Sequence, residues 1–219
     1  MLSFHFAKPG RANYKVLCLG AHSDDIEIGC GGSILELLRG YRNLEFHWIV
    51  FSSGGERERE ARRSAALFLK GAAAKNVLVH DFRNGYFPSI IGEIKDYFED
   101  LKRQLSPDLI FTHARHDLHQ DHHVLNQLTW NTWRNHSILE YEIPKYDGDL
   151  GTPNFYVPFS RKIADRKIKF LMDCFGTQRD KRWFTRDTFQ GLMRIRGVEV
   201  NAPGQFAEGF YARKLLFGN

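Results

Sequence analysis

Two short segments of the 219-residue chain concentrate side chains that bind metals and move protons. The first, Gly20-Ala21-His22-Ser23-Asp24-Asp25-Ile26-Glu27-Ile28-Gly29-Cys30-Gly31-Gly32, sets a histidine and two adjacent carboxylates in one turn. The second, His113-Ala114-Arg115-His116-Asp117-Leu118-His119-Gln120-Asp121-His122-His123, holds five of the ten histidines. Imidazole and carboxylate together suit a borderline divalent cation such as zinc. Catalytic zinc takes three protein donors, two histidines and one carboxylate being a common set, and leaves a position for water. Zinc lowers the pKa of its water to about 7, so a spare carboxylate can handle the proton and a spare histidine can act as acid or donor. Each segment alone has a plain structural reading, since His-x-Asp-Asp turns cap helices and a His-rich turn is often a solvated loop. Together, each after a predicted strand, they point to one metal-centred site.

The elements that must position these turns alternate. Tyr14–Gly20 reads as a buried strand, Gly31–Arg39 as a helix stopped by Gly40, and Leu44–Phe51 as a strand. Arg57–Leu69 is expected to be helical, Asn76–His80 a strand, Ile90–Leu105 a helix near the 3.6 period, Asp108–Thr112 a strand and Asp121–Trp133 a helix. This order predicts an α/β, Rossmann-like fold: a mostly parallel sheet with helices on both faces, in a single domain with a C-terminal extension. Such sheets bind ligands beyond the carboxyl ends of their strands, near the switch in strand order. There the two motif turns can lie side by side. Beyond, Pro144, Gly148, Gly151, Pro153 and Pro158 break the pattern. Arg161–Phe175 and Thr185–Arg196 read as helices and Phe206–Phe217 as a closing strand.

Composition narrows the classes. A 42% hydrophobic content over this length suits one domain with a large core, and 26% charged residues is not a disordered composition. No apolar run approaches the ~18 residues of a membrane span, and Met1–Phe6 lacks the features of a signal peptide. Three scattered cysteines, Cys18, Cys30 and Cys174, exclude a disulfide scaffold and favour a reducing cytoplasm. The net charge of +5 is a mild excess, scattered apart from Arg57, Arg59, Arg62 and Arg63, so nucleic acid is not the expected partner. The glycines Gly29, Gly31 and Gly32 do not make a dinucleotide fingerprint, because His22–Glu27 fills the turn where the glycines would have to stand. They are expected to let a helix start close to the site with its positive end facing it.

At the two segments the chain resembles the PIG-L/LmbE-like family of zinc-dependent N-acetylglucosaminyl deacetylases. The family's AHPDD…GxGG is matched by Ala21-His22-Ser23-Asp24-Asp25 through Gly32, with Ser23 for the usual proline and Ile26-Glu27 for the frequent acid. Its DxHxDH is matched by Asp117-Leu118-His119-Gln120-Asp121-His122. Fainter matches follow in order: Gly54-Gly55 with Arg57-Glu58-Arg59-Glu60-Ala61 for a glycine turn and RxxE helix, Thr177-Gln178 for an SQ pair, and Ala207-Glu208-Gly209-Phe210 for AExF. The resemblance implies one deacetylase domain over residues 1–219, with Zn(2+) held by His22, Asp25 and His122. It implies Asp24 as general base, His119 as electrophilic or acidic partner, and Asp121 as the group that orients His119. Arg57 would reach the substrate, and Asn84 stands where a sugar-binding aspartate is expected. The implied substrate is a small-molecule N-acyl amino sugar or sugar conjugate, and a homo-oligomer is the family-level expectation. Other readings are an amidohydrolase acting on a non-sugar N-acyl group, and a metal-stabilised carbohydrate-binding protein without turnover. His113 and His116 are expected to be supporting or solvated, and His123 to point away from its neighbour His122 and not to ligate.

Overall fold

The computed structural model describes residues 13–216; Met1–Phe6 and the predicted strand end at Phe217 lie outside them. Strands β1 (Tyr14–His22), β2 (Leu44–Ser52), β3 (Ala74–Val79), β4 (Leu109–His113) and β5 (Ser137–Tyr141) pair in parallel, and β7 (Phe206–Tyr211) and β6 (Phe155–Phe159) add antiparallel. The sheet order is β3-β2-β1-β4-β5-β7-β6. The chain moves outward from β1 to β3, then returns to place β4 on the other side of β1. The switch point therefore lies between β1 and β4, the two strands that carry the motifs.

Strand alternation builds two cores. Val16, Cys18, Phe46, Trp48, Val50, Leu109 and Phe111 face one side, with residues of α1 (Asp25–Gly40), α2 (Glu56–Phe68), α5 (Arg161–Cys174) and α6 (Arg186–Glu199). Leu17, Leu19, Ile49, Phe51 and Ile110 face the other, with α3 (Ile91–Gln104) and α4 (Gln120–Thr132). Period-two patterning on each strand thus dictates helices on both faces.

Three sequence expectations change. Helix α1 starts at Asp25, six residues before the predicted Gly31, so Gly29, Gly31 and Gly32 are interior to the helix rather than at its start. They serve close packing. A Cβ on Gly29 would lie 2.1 Å from Cδ2 of Tyr141, and one on Gly32 would lie 2.7 Å from the Phe159 ring. Strands β5 and β6 were not expected, β6 because Pro153 and Pro158 read as breakers. Pro158 is tolerated because β6 is the sheet's edge, where a missing N–H costs no ladder bond. Third, the C-terminal extension completes the main sheet through β6 and β7.

The fainter motifs hold these layers together. Glu208, on β7, accepts hydrogen bonds from the Gly32 and Ser33 amides, both 2.7 Å, and pairs with the buried Lys167 of α5 at 2.6 Å. Glu60 of α2 accepts from the amide and hydroxyl of Thr177. Both contacts fasten helices that flank the first motif.

Candidate metal centre

The β1–β4 ladder runs only from Val16↔Leu109 to Cys18↔Phe111, whereas β1–β2 continues to His22↔Ser52. Beyond Cys18 the central strands part. Their freed backbone groups are met by side chains: the Tyr141 hydroxyl donates to Leu19 O at 2.6 Å, and His113 Nε2 accepts from the Ala21 amide at 3.0 Å. The gap is where the two motifs meet.

Within it, three donor atoms form a near-equilateral triangle. His22 Nδ1 lies 3.2 Å from His122 Nε2 and 3.3 Å from Asp25 Oδ2, and the last two are 3.5 Å apart. Four-coordinate zinc with N and O donors at about 2.0–2.2 Å has donor–donor edges of about 3.3–3.6 Å. The residues present therefore fit the ion. Asp25, His113 and His122 form a second possible grouping, as do His22, His119 and His122. The first is disfavoured because the lone pair of His113 Nε2 is spent on the Ala21 N–H. In the second, His119 Nδ1 is likewise spent, accepting from the Asp121 amide at 3.2 Å as the cap of α4.

The surroundings prepare the same triangle. His122 donates Nδ1–H to Asp117 Oδ2 at 2.9 Å, which leaves Nε2 free as an acceptor. Burial, with neighbouring His113, depresses His122 to about 3. Burial opposes ionisation of Asp25, but His122, His22 and His113 outweigh it and keep the carboxyl well below its ordinary range. For His22 burial disfavours the cation, yet Asp25 and Asp121 raise its pKa to about 9.

Two groups flank the triangle. Asp24 is 4% exposed, and its Oδ1 accepts from Arg57 Nη2 at 2.9 Å. Burial raises its pKa, and Arg57 acts against that rise. His119 stands edge-on to His22, 4.9 Å between centroids, and stacks on His122 at 4.5 Å. Burial and then His22 lower its pKa. With Nδ1 accepting from the backbone, the neutral ring carries its proton on Nε2.

Asp121 departs from its expected part. Its contact with His119 runs through its backbone N–H, while its carboxylate meets His22 Nε2 at 3.3 Å, the Gly85 amide at 2.6 Å and the Phe87 amide at 3.1 Å. It sits at the N-terminal turn of α4, where the side chain is thrown toward the 83–87 turn and away from the preceding residue. Arg57, expected to reach substrate, is engaged with Asp24. Asn84 is exposed on the turn that Asp121 pins. His116 and His123 are exposed, as expected, and His113 is a buried support. Sequence reasoning gave no role to Tyr141 or Lys145. Tyr141 stands between Glu140 and Glu142 with no chemical motif around it, and Lys145 stands in a segment that reads only as broken pattern.

A family model described as GlcNAc-PI de-N-acetylase, PIG-L, matches residues 17–133, more than half the chain and both motifs. The chain is 28% identical over 142 residues to the uncharacterized deacetylase YaiS of Escherichia coli (strain K12), covering 59% of this chain and 74% of that one. Among solved structures, the conserved protein TT1542 from Thermus thermophilus is similar with TM-score 0.73 and 17% identity, over 93% of this chain and 96% of that one. The N,N'-diacetylchitobiose deacetylase from Pyrococcus horikoshii has TM-score 0.65 and 18% identity, over 90% and 83%. GalB, the 4-carboxy-2-hydroxymuconate hydratase from Pseudomonas putida KT2440, has TM-score 0.69 and 15% identity, over 94% and 98%. At such identities these likenesses speak to the fold alone, and the fold is not confined to deacetylases.

Proposed function

The chain belongs to the PIG-L family, described as GlcNAc-PI de-N-acetylase, and from that membership we propose that it is a zinc-dependent N-deacetylase. It removes an acetyl or similar acyl group from an amino sugar or sugar conjugate. The observation that carries this reading is the donor triangle of His22 Nδ1, Asp25 Oδ2 and His122 Nε2, with the Arg57-paired Asp24 carboxylate and the His119 imidazole beside it. Those three residues would hold the ion. Bound there, zinc supplies a Lewis acid and a water of pKa about 7.

The remaining chemistry belongs to the chain. Asp24 takes a proton from the attacking water and passes it to the departing nitrogen. Its burial favours this, because a carboxylate of raised pKa is a better acceptor. Arg57, paired with Asp24 Oδ1 at 2.9 Å, would steady that carboxylate. His119 donates Nε2–H to the oxyanion of the tetrahedral intermediate, preorganised by the backbone bond on its other nitrogen. Asp121 steadies His22 and the 83–87 turn, which offers Asn84 to the sugar. No helix among the described residues is long and apolar enough to cross a membrane. The three cysteines are free and buried, which supports a reducing, cytoplasmic location.

The test is acetate release from a panel of N-acetylated sugars, sugar conjugates and non-sugar amides, with chelated and zinc-reloaded protein. Equimolar acetate and free amine from a sugar, lost on chelation and restored by zinc, is expected. Turnover confined to non-sugar amides would move the substrate class. No acetate from any member, or undiminished turnover after exhaustive chelation, would overturn the reading.

A further inference from the structure

The irregular segment between β5 and β6 enters the site through one buried cation. Lys145 is 8% exposed at its side chain, and its Nζ lies 3.0 Å from Asp117 Oδ1 and also contacts Asp149. A lysine is seldom buried without partners that repay its lost hydration. Here both partners act on the second motif. Asp149 Oδ2 accepts the Leu118 amide at 2.7 Å. Asp117 divides its oxygens: Oδ1 takes the His119 amide at 2.9 Å along with Lys145, and Oδ2 takes His122 Nδ1–H at 2.9 Å.

We propose that Lys145 is a positioning residue for the metal centre, fixing the Asp117 carboxylate so that its two oxygens orient His122 and His119 at once. This inference rests on the reading of His122 as a ligand. A carboxylate can rotate about its terminal bond, and one hydrogen bond per oxygen leaves that rotation soft. Lys145 adds a second, charged contact on Oδ1, and Asp149 anchors the lysine and the turn from the other side. Oδ2 is thereby held against His122 Nδ1, and the Nε2 lone pair is aimed into the triangle. Loss of a group that orients a metal-bound histidine typically weakens metal binding about 10–100-fold. Lys145 acts one contact further out.

The experiment measures zinc affinity of the full chain by competition with a chromophoric chelator. It is paired with the visible spectrum of the cobalt-loaded protein, and with kcat and KM for any substrate found. Lys145→Met is expected to weaken zinc binding about tenfold and to alter the cobalt bands. Lys145→Gln, which keeps a donor without the charge, should fall between Lys145→Met and the wild type. Lys145→Arg should recover most of the affinity. If circular dichroism shows that Lys145→Met does not fold, the Lys145→Gln and Lys145→Arg pair decides. Wild-type affinity and an unchanged cobalt spectrum in Lys145→Met, or in Lys145→Gln where the first is unfolded, would overturn the inference. A wild type that binds zinc tightly but releases no acetate would sink the deacetylase reading and leave this one standing. A wild type that binds neither ion sinks both.

Discussion

Asp24→Asn separates the proposed base from the proposed ligands that surround it in sequence. The substitution preserves the outline of the side chain, so the amide oxygen can still accept from Arg57 Nη2, 2.9 Å from Oδ1 in the wild type. What disappears is the charge and the capacity to take a proton. Burial disfavours the ionised form of Asp24 and the contact with the Arg57 guanidinium is kept, so thermal unfolding should shift little. The donor triangle uses atoms of His22, Asp25 and His122 only, so zinc content should stay at the wild-type level. Catalysis should fall much further. General-base assistance is typically worth about 10²–10⁴ in rate, or roughly 3–5 kcal/mol of barrier. The assay is kcat from acetate release on zinc-loaded protein, with metal analysis and thermal unfolding on the same preparation. Turnover within about threefold of wild type at full zinc occupancy would refute Asp24 as base. Loss of zinc in step with activity would instead make Asp24 part of the ligand set.

Three further outcomes follow from the geometry. His22→Gln should lose tightly bound zinc while His113→Gln keeps it, because the His113 lone pair already serves the Ala21 amide; the reverse pattern in metal analysis would move the ion to the grouping of Asp25, His113 and His122. Arg57→Met removes the cation that opposes the burial-driven rise of Asp24, so the acidic limb of kcat/KM should shift to higher pH than in wild type; an unmoved or lowered limb would contradict the pairing. Gly29→Ala places a Cβ 2.1 Å from Cδ2 of Tyr141, a buried ring tied to Leu19 O. Overpacking costs about 1–3 kcal/mol against up to about 1 kcal/mol gained in helix propensity, so chemical denaturation should show a net loss. A more stable variant would mean that Tyr141 yields freely.

Much of the fold and of the site is legible in the sequence because the signals are local. Leu17 and Leu19 alternate with Val16 and Cys18 on β1, and a two-residue period needs no knowledge of the rest of the chain to announce a strand covered on both faces. Where competing local signals existed, the reading faltered. The glycines at 29, 31 and 32 argue against a helix by propensity, and only the proximity of Tyr141 and Phe159 shows why a helix carries them. Pro158 argues against a strand until its place at the sheet edge is known. The donor types at His22, Asp24, Asp25, His119, Asp121 and His122 are likewise properties of the residues themselves. Which nitrogen or oxygen meets which is not. The parting of β1 from β4 beyond Cys18 lets the motifs meet at 3.2–3.5 Å, and the tertiary fold also turns Asp121 to His22, engages Arg57 with Asp24 and brings Lys145 to Asp117 across 28 residues of chain. Side-chain chemistry is carried by each residue wherever it stands. Hydrogen bonds and coordination depend on angles and on tenths of an ångström, which sheet register and helix packing alone decide.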